Sequence, residues 1–214
     1  MSAKVKGPKT EISSEELKAK LVQVARKHFA MHGLNGASLK DIAGEADVAN
    51  SLINYHFKDK EGLFRASIEP FARMRMEAIS RLLNEARNLE EFRLRIELFV
   101  EEMQNAVLED QHSFEIIDRE LRAENEIVVK IFQDTMLNAF KHVVQFFMQA
   151  QKDGLVRGDL DPMILSSILF TSTCDAVRKE FLAKRFFNIS FRDVEWRRKF
   201  AHHIAALFIK GVIK

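Results

Sequence analysis

Apolar positions recur at helical spacing along almost the whole chain. Leu17, Leu21, Val24, Ala25 and Phe29 mark one face of a first helix. Its start is signposted, because Ser13 and Glu16 have capping-box spacing while Ile12 and Leu17 sit at the two staple positions. Gly33 supplies a C-terminal cap. A second helix of about two turns starts at Ser38, with Asp41 three residues on, and carries Leu39, Ile42, Ala43 and Ala46. After Asp47 and Val48, another short stretch runs from Ala49 to His56 and ends at Lys58 and Asp59. Two helices this short, joined by so tight a turn, bury little alone and must pack on the first helix and on the next one along the chain. The pattern is a helix-turn-helix.

Beyond Leu63 a helix continues through Phe64, Ile68 and Phe71 with Pro70 inside it, so a kink or a break is expected near Glu69. Further helices are expected over 89–109, 113–124, 126–152, 162–184 and 193–212. The one through Val128, Ile131, Phe132, Met136, Phe140, Val143, Phe147 and Ala150 is apolar over a broad face, as the centre of a bundle should be. Three Pro and eight Gly are too few turn formers for a sandwich or barrel of many short strands. An all-α protein of 214 residues, with room for a real core, is the expectation. Residues 1–11 have Lys, Gly and Pro without periodicity and read as a flexible basic arm, a tail more than a DNA contact. Residues 12–63 form the helix-turn-helix domain and 64–214 a larger helical domain.

The uncharged stretch 162–174 is too short to span a bilayer, and no apolar leader opens the chain. One cysteine excludes an internal disulfide framework, and a cytoplasmic protein without membrane contact is expected. Net charge is +2, with 11 Lys and Arg against 8 Asp and Glu in residues 1–65 and 22 against 23 in the remainder. The bias permits a basic front on a neutral body.

The run SLKDIAGEADVANSLINYHFKDKEGLF, residues 38–64, carries the pair Ile42-Ala43, then Val48, the aromatic cluster Tyr55-His56-Phe57 and the pair Lys60-Glu61. In that order these resemble the DNA-binding signature of TetR-family transcriptional regulators, over about an eighth of the chain. The segment DGLVRGDLDP, residues 153–162, looks like the turn between two long helices of that family's C-terminal domain. Three positions depart from the family pattern. Asp47 stands where Gly is usual, tolerable if the backbone is left-handed there at a cost of order 1 kcal/mol. Ala49 stands where Ser often caps, forfeiting roughly 1 kcal/mol unless Asn50 caps instead. Asn54 replaces the first Tyr of the usual Tyr-x-x-Phe run.

The resemblance implies that Ile53 and Phe57 face the core, leaving Asn50, Ser51, Leu52 and Asn54 for the DNA groove. Asn bridges adenine bidentately, Ser bonds to base or phosphate, and Leu52 suits a thymine methyl, although Val48 and Leu52 also have core spacing. Lys40 is placed for a guanine or a phosphate. Ser38, Tyr55, His56 and Lys60 are the phosphate candidates, with an aromatic lid over the core as the alternative for Tyr55 and His56.

In the body, eighteen Phe and eight Met supply bulky, adaptable apolar surface. Met74, Met103, Phe114, Phe140 and Phe170 are candidate contacts for a small-molecule effector, and core packing accounts for each just as simply. His112, Asp118, His142, Cys174 and Arg178 are the polar candidates, with a buried Asp118–Arg178 pair more simply structural. The last two helices resemble the family's dimer-forming pair, and Trp196, Phe200, Ile204, Leu207 and Phe208 give the final helix more apolar area than one neighbour covers. The implied function is a homodimeric repressor on a palindromic operator of double-stranded DNA, released by a small, largely apolar ligand. The alternative is a constitutive DNA-binding or scaffolding dimer without an effector. No enzyme motif accompanies Cys174, and no cofactor is expected. His28 and His32 share helical spacing, but two ligands do not make a zinc site.

Overall fold

The computed structural model describes residues 13–213. Among these, eleven helices follow one another and no strand forms, apart from an isolated antiparallel bridge between Val156 and Ile213. The chain divides into two compact units, Met1–Ile68 and Glu69–Lys214, with the boundary inside helix α4. The expected basic arm over 1–11 and the staple residue Ile12 lie outside the described residues.

The first unit holds α1 (Ser14–Gly36), α2 (Leu39–Glu45), α3 (Asn50–Phe57) and the start of α4 (Lys60–Leu82). The capping box forms in full: the Glu16 amide donates to Ser13 Oγ at 3.2 Å and the Ser13 amide to Glu16 Oε2 at 2.9 Å. Gly33 takes φ 72° and ψ 177°, a backbone that glycine adopts without strain, and interrupts the helix there. One more turn follows before Ala37, whose amide returns to the Gly33 carbonyl at 3.1 Å, so α1 ends later than the glycine alone suggested. Leu21, Ala25, Phe29, Ile42, Ile53, Leu63 and Phe64 are fully buried, and Phe29 meets Phe64 edge-on at 4.9 Å. Each large side chain so buried contributes about 1.5–3 kcal/mol relative to exposure. That is how helices as short as α2 and α3 hold: their stability lies in the shared core rather than in their own length.

The second unit comprises the rest of α4 with α5 (Leu89–Glu109), α6 (Gln111–Arg122), α7 (Glu126–Asp134), α8 (Met136–Lys152), α9 (Pro162–Arg178), α10 (Glu180–Phe187) and α11 (Val194–Val212). Two of the long helices expected from periodicity are each two. The stretch 126–152 breaks at Thr135, which has φ −125° and ψ −75° and whose buried hydroxyl donates to the Ile131 carbonyl. A β-branched residue bonding back four residues competes with regular helix geometry. The stretch 162–184 breaks at Lys179, and α10 runs on to Phe187 before Asn188 ends it in left-handed backbone at φ 53°. Helix α6 begins two residues earlier than expected, because the Asp110 carboxylate accepts from the Ser113 amide at 3.0 Å and caps it. Helix α4 is continuous through Pro70, although proline withholds the N–H that would reach the Ala66 carbonyl.

Helix α5 is the centre of this unit, packed against α9 and α11, while α8 packs on α9. Phe92 of α5 stacks on Phe146 of α8 at 5.1 Å with rings 4° from parallel, and Phe147 lies 5.7 Å from Phe208 of α11. The turn over 153–162 is pinned at several points. Gly154 takes φ 74°, the Gln151 amide donates to the carbonyls of Arg157 and Leu160, the Arg157 amide donates to the Val212 carbonyl, and Asp161 caps α9.

Candidate nucleic-acid interface

Helix α2 starts at Ser38, whose Oγ accepts from the Asp41 amide at 3.3 Å. The turn after α2 passes through Asp47 at φ 57°, so aspartate occupies the left-handed position for which glycine is usual. The Val48 amide reaches the Ala43 carbonyl at 3.0 Å and closes the turn. Helix α3 then opens at Ala49, which holds the N-cap backbone (φ −72°, ψ 138°) without any side-chain cap bond. Asn50 does not take over that role, since it is already the first helical residue.

Fully buried Ile53 fixes which side of α3 faces the core. Asn50, Ser51, Asn54 and Tyr55 are consequently exposed, while Leu52, His56 and Phe57 are half-buried. Tyr55 is 81% exposed and meets His56 edge-on at 4.9 Å, so it is a solvent-facing group and not a lid over the core. Lys40 is exposed on α2. Lys60 Nζ donates to the Asn35 carbonyl at 3.1 Å, tying the start of α4 to the end of α1. Two further ammonium protons remain for another acceptor.

One tie in this unit has no sequence signal. Glu45 at the end of α2 accepts from Lys27 Nζ at 2.8 Å and meets His28 Nε2 at 2.8 Å, clamping α2 to α1. The Lys27 hydrogen bond first, and the His28 bond after it, hold the Glu45 carboxyl below the usual carboxylate range. His28 and His32 lie with ring centres 6.2 Å apart, and His28 is committed to Glu45. Among the described residues no group of three or more His, Cys, Asp or Glu side chains gathers as a metal site would need.

The ten effector candidates in the body are spread out. A cleft of about 460 Å³ between α5, α6, α9 and α10 takes in Phe114 and Arg178, with Val107, Phe181, Lys184 and Arg192 also on its walls. Asp118 accepts from Arg178 at 3.0 Å and from Arg122 at 2.9 Å, a partly exposed network rather than a buried pair. A second cleft, of about 540 Å³, takes in His142 beside Phe146 and Lys152. His112 is exposed, 3.5 Å from Glu115. Met103 lies in the core, Met74 is exposed on α4, and half-buried Phe140 and Phe170 meet edge-on at 6.4 Å. Burial pushes the Cys174 thiol up to about 12.

Of the dimer candidates on α11, Leu207 is 70% exposed and Trp196 is also exposed, whereas Phe200 lies against Phe191 at 5.1 Å and Phe208 against Phe147. Ile204 is half-buried. Ile164 and Ile168 of α9 are exposed one turn apart, a pair absent from the candidates named on sequence grounds although its i, i+4 spacing is visible there.

Two short helices around a tight turn, held on a third and followed by an all-helical body, define a helix-turn-helix protein. Residues 21–67 match the family model for bacterial regulatory proteins of the tetR family, a likeness confined to the helix-turn-helix segment. The HTH-type transcriptional regulator AcrR of Shigella flexneri is 38% identical over 56 residues, a match that spans 26% of this chain and 26% of the relative. Among solved structures, the ketosteroid transcriptional regulator KstR2 of Mycobacterium tuberculosis is 17% identical with a TM-score of 0.69, over 96% of this chain and 100% of that one. The fatty acid degradation regulator FadR of Bacillus halodurans is 16% identical with a TM-score of 0.66, over 90% and 98%. SmeT of Stenotrophomonas maltophilia in complex with triclosan is 16% identical with a TM-score of 0.65, over 92% of each chain. These likenesses establish the fold. No helix among the described residues is long and apolar enough to cross a membrane.

Proposed function

We propose that the chain is a sequence-specific regulator of transcription, a homodimeric repressor that binds a palindromic operator in the cytoplasm and is released by a small, largely apolar ligand. The observation that carries this is the exposed row Asn50, Ser51 and Asn54 on a helix whose other side is anchored by buried Ile53. Asn50 and Asn54 are amides suited to adenine, Ser51 serves base or phosphate, and the free part of Leu52 suits a thymine methyl. Lys40 addresses a guanine or a phosphate, while Ser38, Tyr55, His56 and Lys60 hold the backbone. Exposed Leu207 and Trp196 on α11, with Ile164 and Ile168 on α9, support an apolar pairing face between two copies. Two heads related by a twofold axis then meet half-sites in successive turns of the groove.

The regulators of similar fold are named for ketosteroids and fatty acids or were solved with triclosan, which supports an apolar ligand here. A constitutive dimer without effector is the second reading, and the 460 Å³ cleft in the body favours a sensor over it. The test is selection of genomic fragments by the purified full chain, followed by sequencing and titration. An inverted repeat should emerge, with affinity falling steeply as salt rises. Asn54→Ala should cost about 1–3 kcal/mol on the selected repeat and far less on random duplex. Lys60→Ala should weaken both alike. Equal losses on both duplexes for Asn54→Ala would remove that residue from base reading.

A further inference from the structure

We propose that the cleft between α5, α6, α9 and α10 takes an amphipathic anion, a compact carboxylate joined to an apolar body; this deepens the reading of the chain as a ligand-released regulator and rests on it. Three cations from three parts of the chain converge there: Arg178 at the end of α9, Lys184 on α10 and Arg192 in the segment before α11. Two carboxylates also border the cleft, and both are engaged. Glu180 is buried and accepts from the Ser190 hydroxyl, and Glu115 lies 3.5 Å from His112. Arg178 is tied to Asp118. Among the described residues the side chains of Lys184 and Arg192 form no ion pair with a carboxylate, and both line the cleft.

Beside them the wall is apolar. Val107 and Phe114 form it from within, and Phe181 is 67% exposed. A neutral apolar ligand would cover Phe181 and leave the two cations unused. An apolar body ending in a carboxylate satisfies both features, by burying ring surface and by charge-assisted hydrogen bonds at its head. The cleft volume of about 460 Å³ falls within the roughly 300–1,000 Å³ usual for small-molecule sites. The site also has a route to α4. Phe114 meets Phe71 of α4 edge-on at 5.2 Å, and Phe71 lies 5.3 Å beneath the Arg75 guanidinium. A ligand that shifts Phe114 therefore bears on the part of α4 that lies within the second unit.

The experiment is isothermal titration of the full chain with decanoate, decan-1-ol and decyltrimethylammonium below their micelle concentrations, paralleled by naphthalene-2-carboxylate and its alcohol. At least one carboxylate should bind roughly tenfold or more tightly than its alcohol, since hydrogen bonds to charged groups are worth that factor. The ammonium probe should bind most weakly. The exposed pair Lys184→Gln and Arg192→Gln, introduced together with the fold checked by circular dichroism, should abolish the preference while leaving alcohol binding in place. Carboxylates that bind no tighter than their alcohols, the absence of binding by every probe, or a preference that survives the double substitution overturns the proposal. Selection of duplex DNA without any probe separates this from the wider reading. If an operator is bound and the carboxylate preference is absent, the ligand class fails and the DNA reader stands. If the preference is present and no duplex is selected, the ligand class stands and the regulator reading fails.

Discussion

Serine in place of Ala49 should stabilise α3, and the size of the effect can be worked from geometry already in place. Ala49 holds extended N-cap backbone and is exposed; its carbonyl accepts from the Leu52 amide at 3.0 Å, but it offers no side-chain acceptor to the other amides at the start of α3. A serine Oγ in the same conformation reaches the amide of Ser51 or Leu52, as Ser38 Oγ reaches the Asp41 amide at the start of α2. Caps of this kind are worth about 0.5–2 kcal/mol, typically about 1 kcal/mol. Because α3 is only eight residues long, its amides exchange through local opening, and about 1 kcal/mol corresponds to roughly fivefold slower exchange. Hydrogen exchange read by mass spectrometry on peptides covering 50–58 measures it. Ala49→Val, with no acceptor, serves as control, and peptides of α5 should not change in either variant. The same stiffening should raise affinity for every duplex by no more than that factor, since it preorganises the reader without adding a base contact. Unchanged or faster exchange in α3 of a folded Ala49→Ser protein would refute the assignment of an empty cap.

Three further outcomes are expected. Arg75 is nearly buried and spans Glu102 and Glu109 at 2.7 Å each, so Arg75→Met should lower body stability in urea by about 3 kcal/mol, the lower end for a broken buried pair because Glu109 can rehydrate. An unchanged midpoint would show that the pairs contribute nothing net. Cys174 should not react with a thiol-exchange reagent at pH 8 in the native protein and should react fully in guanidinium, since burial keeps it a thiol; rapid native labelling contradicts this. Glu45 has a lowered folded pKa, so its contribution is complete above the ordinary carboxylate value of about 4.3 and is lost as pH falls through the lowered value. Glu45→Gln should therefore flatten the acid limb of head unfolding between the ordinary and the lowered value, and an identical acid limb in both proteins counts against the clamp.

The head was legible because its determinants are local. Ser13 and Glu16, Ser38 and Asp41, and the apolar spacing of Leu21, Ala25 and Phe29 each act within one or two turns, and periodicity reads such relations directly. Even the anomaly at Asp47 could be anticipated, since the turn demands positive φ whatever residue occupies it. The clamp from Glu45 to Lys27 and His28 was not legible, because partners 17 and 18 residues apart on different helices leave no mark in either pattern. The breaks at Thr135 and Lys179 escaped for another reason: the apolar face continues across each, and only a single residue's backbone departs.

The body was legible as helices but not as a site, and the same distinction explains both. Any one of Met103, Phe114, Phe140 or Phe170 has the spacing of a core residue, and which becomes a cleft wall depends on where α9 stops and α10 begins. The break at Lys179 separates Arg178 at the end of α9 from Phe181 and Lys184 on α10, and all three line the cleft. A continuous helix over 162–184 would place residues 178, 181 and 184 at nearly regular intervals down one side, with nothing to turn them around a common space. Substituting Lys179 by alanine tests that link, since a strong helix former removes only a weak obstacle. If α10 keeps its direction because Glu180 is held by Ser190, carboxylate binding in the cleft should persist in Lys179→Ala and be lost in Ser190→Ala. Loss in Lys179→Ala with retention in Ser190→Ala would locate the break in the backbone at 179 rather than in the buried carboxylate beside it.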